Sequence, residues 1–156
     1  MRASELVEQD CSVARPASLL GDPWVLVILR QAFSRIRRFD DFQSQLGISR
    51  SLLSDRLGRL VDAGILRREP YKDQIRTRHE YRLTRKGLDL YPALMALREW
   101  GDRYMADEGP PIRLRHRDCG GEPRIHLTCD RCGEDVGARD TEIAPGRRAA
   151  GLATLP

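Results

Sequence analysis

Apolar residues recur at helical spacing as far as Ala63, switch to strand-like alternation between Ile65 and Leu83, and return to helical spacing up to Met105. Cys11, Val13, Ala17, Leu19 and Leu20 predict a first short helix within 10–20. Gly21-Asp22-Pro23 ends it and starts another, because Asp22 can cap and proline fits the first helical position. Residues 24–33 are apolar on several faces, so this second helix is expected to be central and buried. A short helix over 39–46 and a Gly47-Ile48 turn lead to Ser49, whose hydroxyl suits an N-cap. The helix that follows, over 50–63, closes on Gly64, which fits the left-handed residue just past a helix end. Leu53, Leu57, Leu60 and Val61 form its apolar stripe, while Ser51, Ser54, Asp55, Gly58 and Arg59 point away.

Beyond Gly64, residues 65–69 read as a strand stopping at Pro70. A charged loop over 71–77 follows, and 78–83 alternate as a second strand. Thr84 can cap a long final helix over 85–105. Leu90, Leu94, Leu97, Gly101 and Tyr104 share one face of it, with Tyr91, Met95 and Trp100 flanking. Pro92 is expected to bend this helix, since it deletes a backbone bond. Gly109-Pro110-Pro111 reads as a domain boundary. The expected fold is therefore mainly α with a small β-hairpin (α+β). A winged helix-turn-helix domain spans 10–106 and ends in a long C-proximal dimerisation helix. A small zinc-ribbon-like appendage spans 110–143, and the Gly-rich, basic tail 144–156 is expected to be disordered.

Composition narrows the function classes. The 156 residues are 40% hydrophobic and carry a formal charge of +4, a balance that fits a nucleic-acid partner without requiring one. Of 27 basic residues only Lys72 and Lys86 are lysines; guanidinium forks suit phosphate and guanine, although an arginine-biased genome produces the same count. The longest apolar run, 24–29, is too short to span a bilayer. Glu5, Glu8 and Asp10 fall within the first ten positions, where a secretory leader would carry bases and then an apolar segment, so a cytoplasmic protein without a membrane partner is expected.

Helix, glycine-containing turn and capped second helix form the helix-turn-helix pattern. Ser49, Arg50, Ser51, Ser54, Asp55 and Arg59 are the residues expected in the major groove. Arg38 lies in the basic link before the motif. Lys72, Arg76 and Arg78 lie on or beside the hairpin tip, where a wing reaches the backbone or minor groove. The competing readings are a buried helical corner and a hairpin that merely packs on the core. The final helix presents Leu90, Leu94, Leu97, Trp100, Gly101 and Tyr104 either to its own domain or to a two-fold partner. Duplex operators with paired half-sites match the second arrangement.

His116-Arg-Asp-Cys119-Gly and Cys129-Asp-Arg-Cys132-Gly repeat one pattern: two ligand residues with two residues between them, then glycine. Together they can supply a closed Cys3His set, which is structural zinc chemistry. Reversible oxidation of Cys129 and Cys132, or unliganded thiols, are the rivals. His126, in an alternating segment, reads as a strand residue. Cys11 stands alone and reads as apolar filler on sequence physics, since a sensor thiol needs exposure and a nearby cation such as Arg15.

The ordered motifs resemble the HxlR-type transcriptional regulators. The likeness runs through Cys11-Ser-Val-Ala-Arg15, Leu20-Gly-Asp-Pro-Trp24, Arg38-Phe-Asp-Asp-Phe42, Gly47-Ile-Ser49 and Leu53-Ser-Asp-Arg-Leu57. It continues in Asp62-Ala-Gly-Ile65, Arg78-His-Glu-Tyr-Arg-Leu-Thr84, Pro92-Ala-Leu94 and Trp100-Gly101. Ser12 and Val25 depart from the family's usual proline and threonine. The resemblance implies a MarR-related winged-helix homodimer that regulates nearby genes from a palindromic double-stranded operator, expected here to be a repressor. It also implies that Cys11 occupies the position where some members sense oxidants, electrophiles or aldehydes. A small molecule is the other effector expected. The alternatives left by the residues are a small zinc- or thiol-dependent enzyme and an RNA- or protein-docking module. No nucleophile elbow, phosphate loop or His-Glu-x-x-His helix favours the enzyme.

Overall fold

Asp22 and Ser49 start the two helices on which the domain is built. In the computed structural model, which describes residues 8, 10–72 and 77–144, the elements run α1 (Ala14–Leu20), α2 (Pro23–Phe33), α3 (Phe39–Leu46), α4 (Arg50–Asp62), β1 (Leu66–Lys72), β2 (Thr77–Leu83), α5 (Arg85–Leu88) and α6 (Tyr91–Tyr104). Asp22 accepts the Trp24 amide at 2.9 Å, with Pro23 in the first turn of α2. Ser49 Oγ accepts the Leu52 amide at 3.3 Å. Gly47 and Gly64, with φ of 64° and 68°, make the left-handed turns that close α3 and α4.

The core joins Val25, Ile28 and Leu29 of α2, Phe42 of α3, Leu53, Leu57 and Leu60 of α4, and Ile65 and Leu66 entering β1. The strands form a two-stranded antiparallel sheet with Leu66 opposite Leu83 and Lys72 opposite Thr77. Thr84 then binds the hairpin to the final helical segment. Its amide and hydroxyl reach the Ile65 and Gly64 carbonyls, and the hydroxyl accepts the Gly87 amide at 3.1 Å.

Three expectations are corrected here. The first strand does not stop at Pro70 but passes through it to Lys72, with Pro70 opposite His79. In a two-stranded sheet every strand is an edge, so a missing amide can face outward without breaking the ladder. The long terminal helix is two helices separated at Asp89 and Leu90. Pro92 falls in the first turn of α6, where an amide has no intrahelical acceptor, so it causes no bend. Around His126 no strand forms; the neighbouring residues make a single bridge, Thr128 to Asp135.

The chain divides into two compact units between Gly109 and Pro110. The first holds all eight elements. In the second, the described residues 110–144 form turns without helix or strand. No described helix is long and apolar enough to cross a membrane.

Candidate nucleic-acid interface

Ser49, Arg50, Ser51, Ser54 and Asp55 all lie exposed at the start of α4. The Ser49 and Ser51 hydroxyls are 3.2 Å apart. Arg50 packs over the Phe39 ring at 4.8 Å and donates to Gln43 at 3.2 Å and to Asp40 at 3.4 Å. The other Asp40 oxygen accepts Arg78 of β2 at 3.1 Å. Arg38 lies over the Tyr71 ring at 4.8 Å. These groups, with Arg68, line a cavity of about 480 Å³ between α3, α4 and the hairpin. Four guanidinium groups share it with one aspartate, so its charge suits a phosphate.

The hairpin is fastened to the helices by its base. The Arg38 and Glu80 backbones form an isolated antiparallel bridge, and the Tyr81 amide donates to the Arg37 carbonyl at 2.7 Å. Across the strands Glu69 faces Glu80, a like-charged pair that would repel. Arg82 lies between them and pairs with both. A hydrogen bond from Arg67, reinforced by the charges of Arg67, Arg82 and Arg37, holds the Glu69 carboxyl below the usual carboxylate range.

Arg59 does not join this face. Its guanidinium donates to Asp22 at 3.3 Å and to the Ser18 carbonyl at 3.5 Å. At 100° per residue Arg59 lies on the flank nearest Arg56, and Asp22, only 15% exposed, pairs with both arginines. Asp55 is likewise engaged, by Arg56 at 2.6 Å. Lys72 is exposed at the end of β1, and Arg76 lies outside the described residues. Sequence reasoning missed Asp40, Phe39, Arg68 and Tyr71. Asp40 and Asp41 both read as acids in a first turn, where they complement the helix dipole, and nothing local separates them.

On α6, Leu97, Trp100 and Tyr104 are 49%, 55% and 63% exposed, and no residue of the helix is buried. Leu94 and Gly101 are half-buried. Leu90, just before the helix, packs against its own core instead. Phe33 and Tyr91, with ring centroids 5.0 Å apart, tie the start of α6 to α2. A second cavity, of about 630 Å³, lies between α1, α4 and α5; Leu19, Leu20, Ile65 and Leu90 line it together with Arg15, Arg59 and Lys86.

An exposed, serine-capped second helix with a basic hairpin behind it is now in place, and the HxlR-like helix-turn-helix family matches residues 19–109, which span both. The chain belongs to the HxlR-like family. The HTH-type transcriptional regulator Rv3095 of Mycobacterium tuberculosis is 47% identical over 136 residues, 86% of this chain and 85% of the relative. The crystal structure of PA1607, a candidate transcription factor, aligns with a TM-score of 0.83 and 36% identity over 91% of this chain and 99% of its own. The reduced redox regulator HypR aligns with a TM-score of 0.55 and 28% identity, covering 60% of this chain and 92% of its own. HxlR-like proteins are transcriptional regulators, so the enzymatic alternative falls away.

Two features of this HxlR-like chain lie outside the family match. Cys11 is exposed, which corrects its reading as buried filler. The Ala14 amide donates to its sulfur at 3.4 Å. That bond and one from Val13 hold the thiol below its ordinary value, helped less by the Arg15 charge and opposed by Asp10 and by desolvation. In the second unit, His116 Nδ1 lies 3.3 Å from Cys119 Sγ, and hydrogen bonds from the Cys132 and Arg131 backbone, with a smaller contribution from the Cys132 side chain, hold the Cys129 thiol below its ordinary value. Among the described residues no three His, Cys, Asp or Glu side chains are gathered as for a metal ion.

Proposed function

We propose that this HxlR-like regulator binds double-stranded DNA as a two-fold dimer, with α4 in the major groove and the hairpin against the flanking backbone. The observation that carries the reading is the shared carboxylate of Asp40, which holds Arg50 of α4 and Arg78 of the wing at 3.4 and 3.1 Å. Ser49, Ser51 and Ser54 lie exposed with Arg50 at the start of α4 and suit base edges, and Asp55 follows on the next turn, paired with Arg56; Arg38, Arg78 and Lys72 suit phosphates. The apolar residues left open on α6 supply the dimer seam, and two-fold symmetry calls for a palindromic site. Seated on promoter DNA in the cytoplasm, such a dimer excludes polymerase and represses.

Release follows from two features. An exposed Cys11 with a favoured thiolate suits reaction with an oxidant or electrophile. The cavity beside α1 combines apolar walls with three cationic side chains, which suits an apolar anion as a small-molecule effector.

Footprinting on the chain's own upstream DNA tests the reading. Wild type protects a palindrome, and Arg50→Ala and Arg78→Ala weaken protection. If Arg78 contacts a phosphate, its variant's log–log salt slope is shallower by about 0.9. Arg59→Ala, turned to Asp22, serves as the control that binds nearly as wild type. Equal binding by all four proteins rejects the assignment, and retention of RNA without DNA protection moves the partner to another class.

A further inference from the structure

Residues 110–144 hold defined turns without a core. None of them is buried, and only Leu114, Cys129 and Val136 are half-buried. Segments below about 40 residues rarely stabilise by burial and usually need disulfides, a metal or association. The three cysteines here are free. What the segment does possess is one turn built twice.

The His116 amide donates to the Gly121 carbonyl and the Gly120 amide returns to the His116 carbonyl, both at 2.8 Å. In the same positions of the second turn, Cys129 donates to Glu134 and Gly133 to Cys129, both at 2.9 Å. Each turn closes on a left-handed glycine, with φ of 73° at Gly120 and 76° at Gly133, a conformation that strains any other residue. In each, the first and fourth residues carry the ligand atoms. His116 and Cys119 are already 3.3 Å apart. His126 is engaged elsewhere, by Asp135 at 3.3 Å.

We propose that the two turns bind one zinc ion between them through His116, Cys119, Cys129 and Cys132, and that this ion is the cross-link the coreless segment lacks. Three sulfurs and one imidazole nitrogen form a closed tetrahedral set, which makes the role structural. On binding, three thiols release their protons to solvent and the imidazole binds neutral. Both turns are preformed, but no three ligands are gathered in this structure. The ion therefore draws the turns together, and zinc uptake and the folding of 110–144 are one event.

The test uses the full chain, untagged and purified without chelator, with zinc measured by elemental analysis and thiols by titration. About one zinc per chain is expected, lost in Cys129→Ser and in Cys119→Ser and retained in His116→Cys, which preserves a four-ligand set. Chelation is expected to open 110–144 to protease while the helical circular-dichroism signal of the first unit persists. That signal also shows that a zinc-free variant still folds. Zinc-free wild type that takes up no zinc when reduced and reconstituted overturns the site. Full zinc content in Cys119→Ser overturns the four-ligand set.

Discussion

Arg78 on the wing donates to the Asp40 carboxylate of α3 at 3.1 Å, across 38 residues of sequence. Arg50 reaches the other oxygen, so one acid fixes the spacing of two cations from different elements. All three side chains are at least half exposed, so each pair contributes only about 0–1 kcal/mol to stability. Its consequence is positional. Asp40→Asn removes a negative charge facing phosphate and frees both guanidinium groups. Binding to scrambled duplex should tighten, while discrimination for the operator falls by about 1 kcal/mol, roughly fivefold, at the low end for a base contact. Anisotropy titrations with both duplexes measure the ratio, and an unchanged ratio would remove Asp40 from the recognition apparatus.

Gly87 marks the tightest backbone approach in the first unit. A Cβ there would lie 2.3 Å from the Ile65 carbonyl oxygen, which already accepts the Thr84 amide at 3.0 Å. Neither atom belongs to a flexible side chain, so the junction between hairpin and α5 must shift. Gly87→Ala should destabilise the domain by about 1–3 kcal/mol, despite alanine's better helix propensity. Urea unfolding measures it. Gly58→Ala, where a Cβ meets nothing within 4 Å, should be neutral or stabilising.

What was legible in the sequence was what local chemistry decides. The Ser49 cap, the left-handed Gly47 and Gly64 and the Leu53–Leu57–Leu60 stripe all act within a few residues, and the capped helix forms where they place it. Pro70 was misread because its cost depends on whether its strand has one neighbour or two. The break at Asp89 was hidden for a related reason: Pro92 bends a helix from its interior but starts one from its first turn. Arg59 sits between two faces of α4, and the acid that claims it, Asp22, is 37 residues away. Asp40 was invisible because both its partners come from elsewhere in the chain. The exposure of Cys11 is likewise a property of packing.

The thiolate of Cys11 should form at lower pH than that of an ordinary cysteine. Amide hydrogen bonds at the start of α1 favour the ionised form, so the thiol's value falls and the thiolate fraction at neutral pH rises. Iodoacetamide labelling of Cys11, followed by peptide mass spectrometry across pH, should reach half its maximum rate at a lower pH than an unstructured cysteine peptide labelled alongside it. Arg15→Gln should raise that midpoint only slightly, because the arginine contributes less than the amides and is itself bonded to Asp10 at 2.7 Å. A midpoint at or above the ordinary value would leave Cys11 without the activation a sensor needs.

The open face of α6 makes the strongest demand on the assembly. Leu97, Trp100 and Tyr104 are about half or more exposed on a helix with no buried residue, and Trp100 and Tyr104 meet at a tilt of 49° with ring centroids 5.5 Å apart. If a second copy covers this face, a charge placed there is desolvated on association and the dimer dissociates; if solvent covers it, the charge is tolerated. Leu97→Glu and Trp100→Glu should therefore sediment as monomers with an unchanged helical signal. Each monomer then engages one half-site, and loss of the linked second contact should weaken operator binding by about 100-fold or more. Arg85→Glu, an exposed side chain of α5 paired only with Asp89 at 3.2 Å among the described residues, is the control for charge reversal away from the seam and should remain dimeric. A wild-type chain that sediments as a monomer at micromolar concentration would assign this face to another partner.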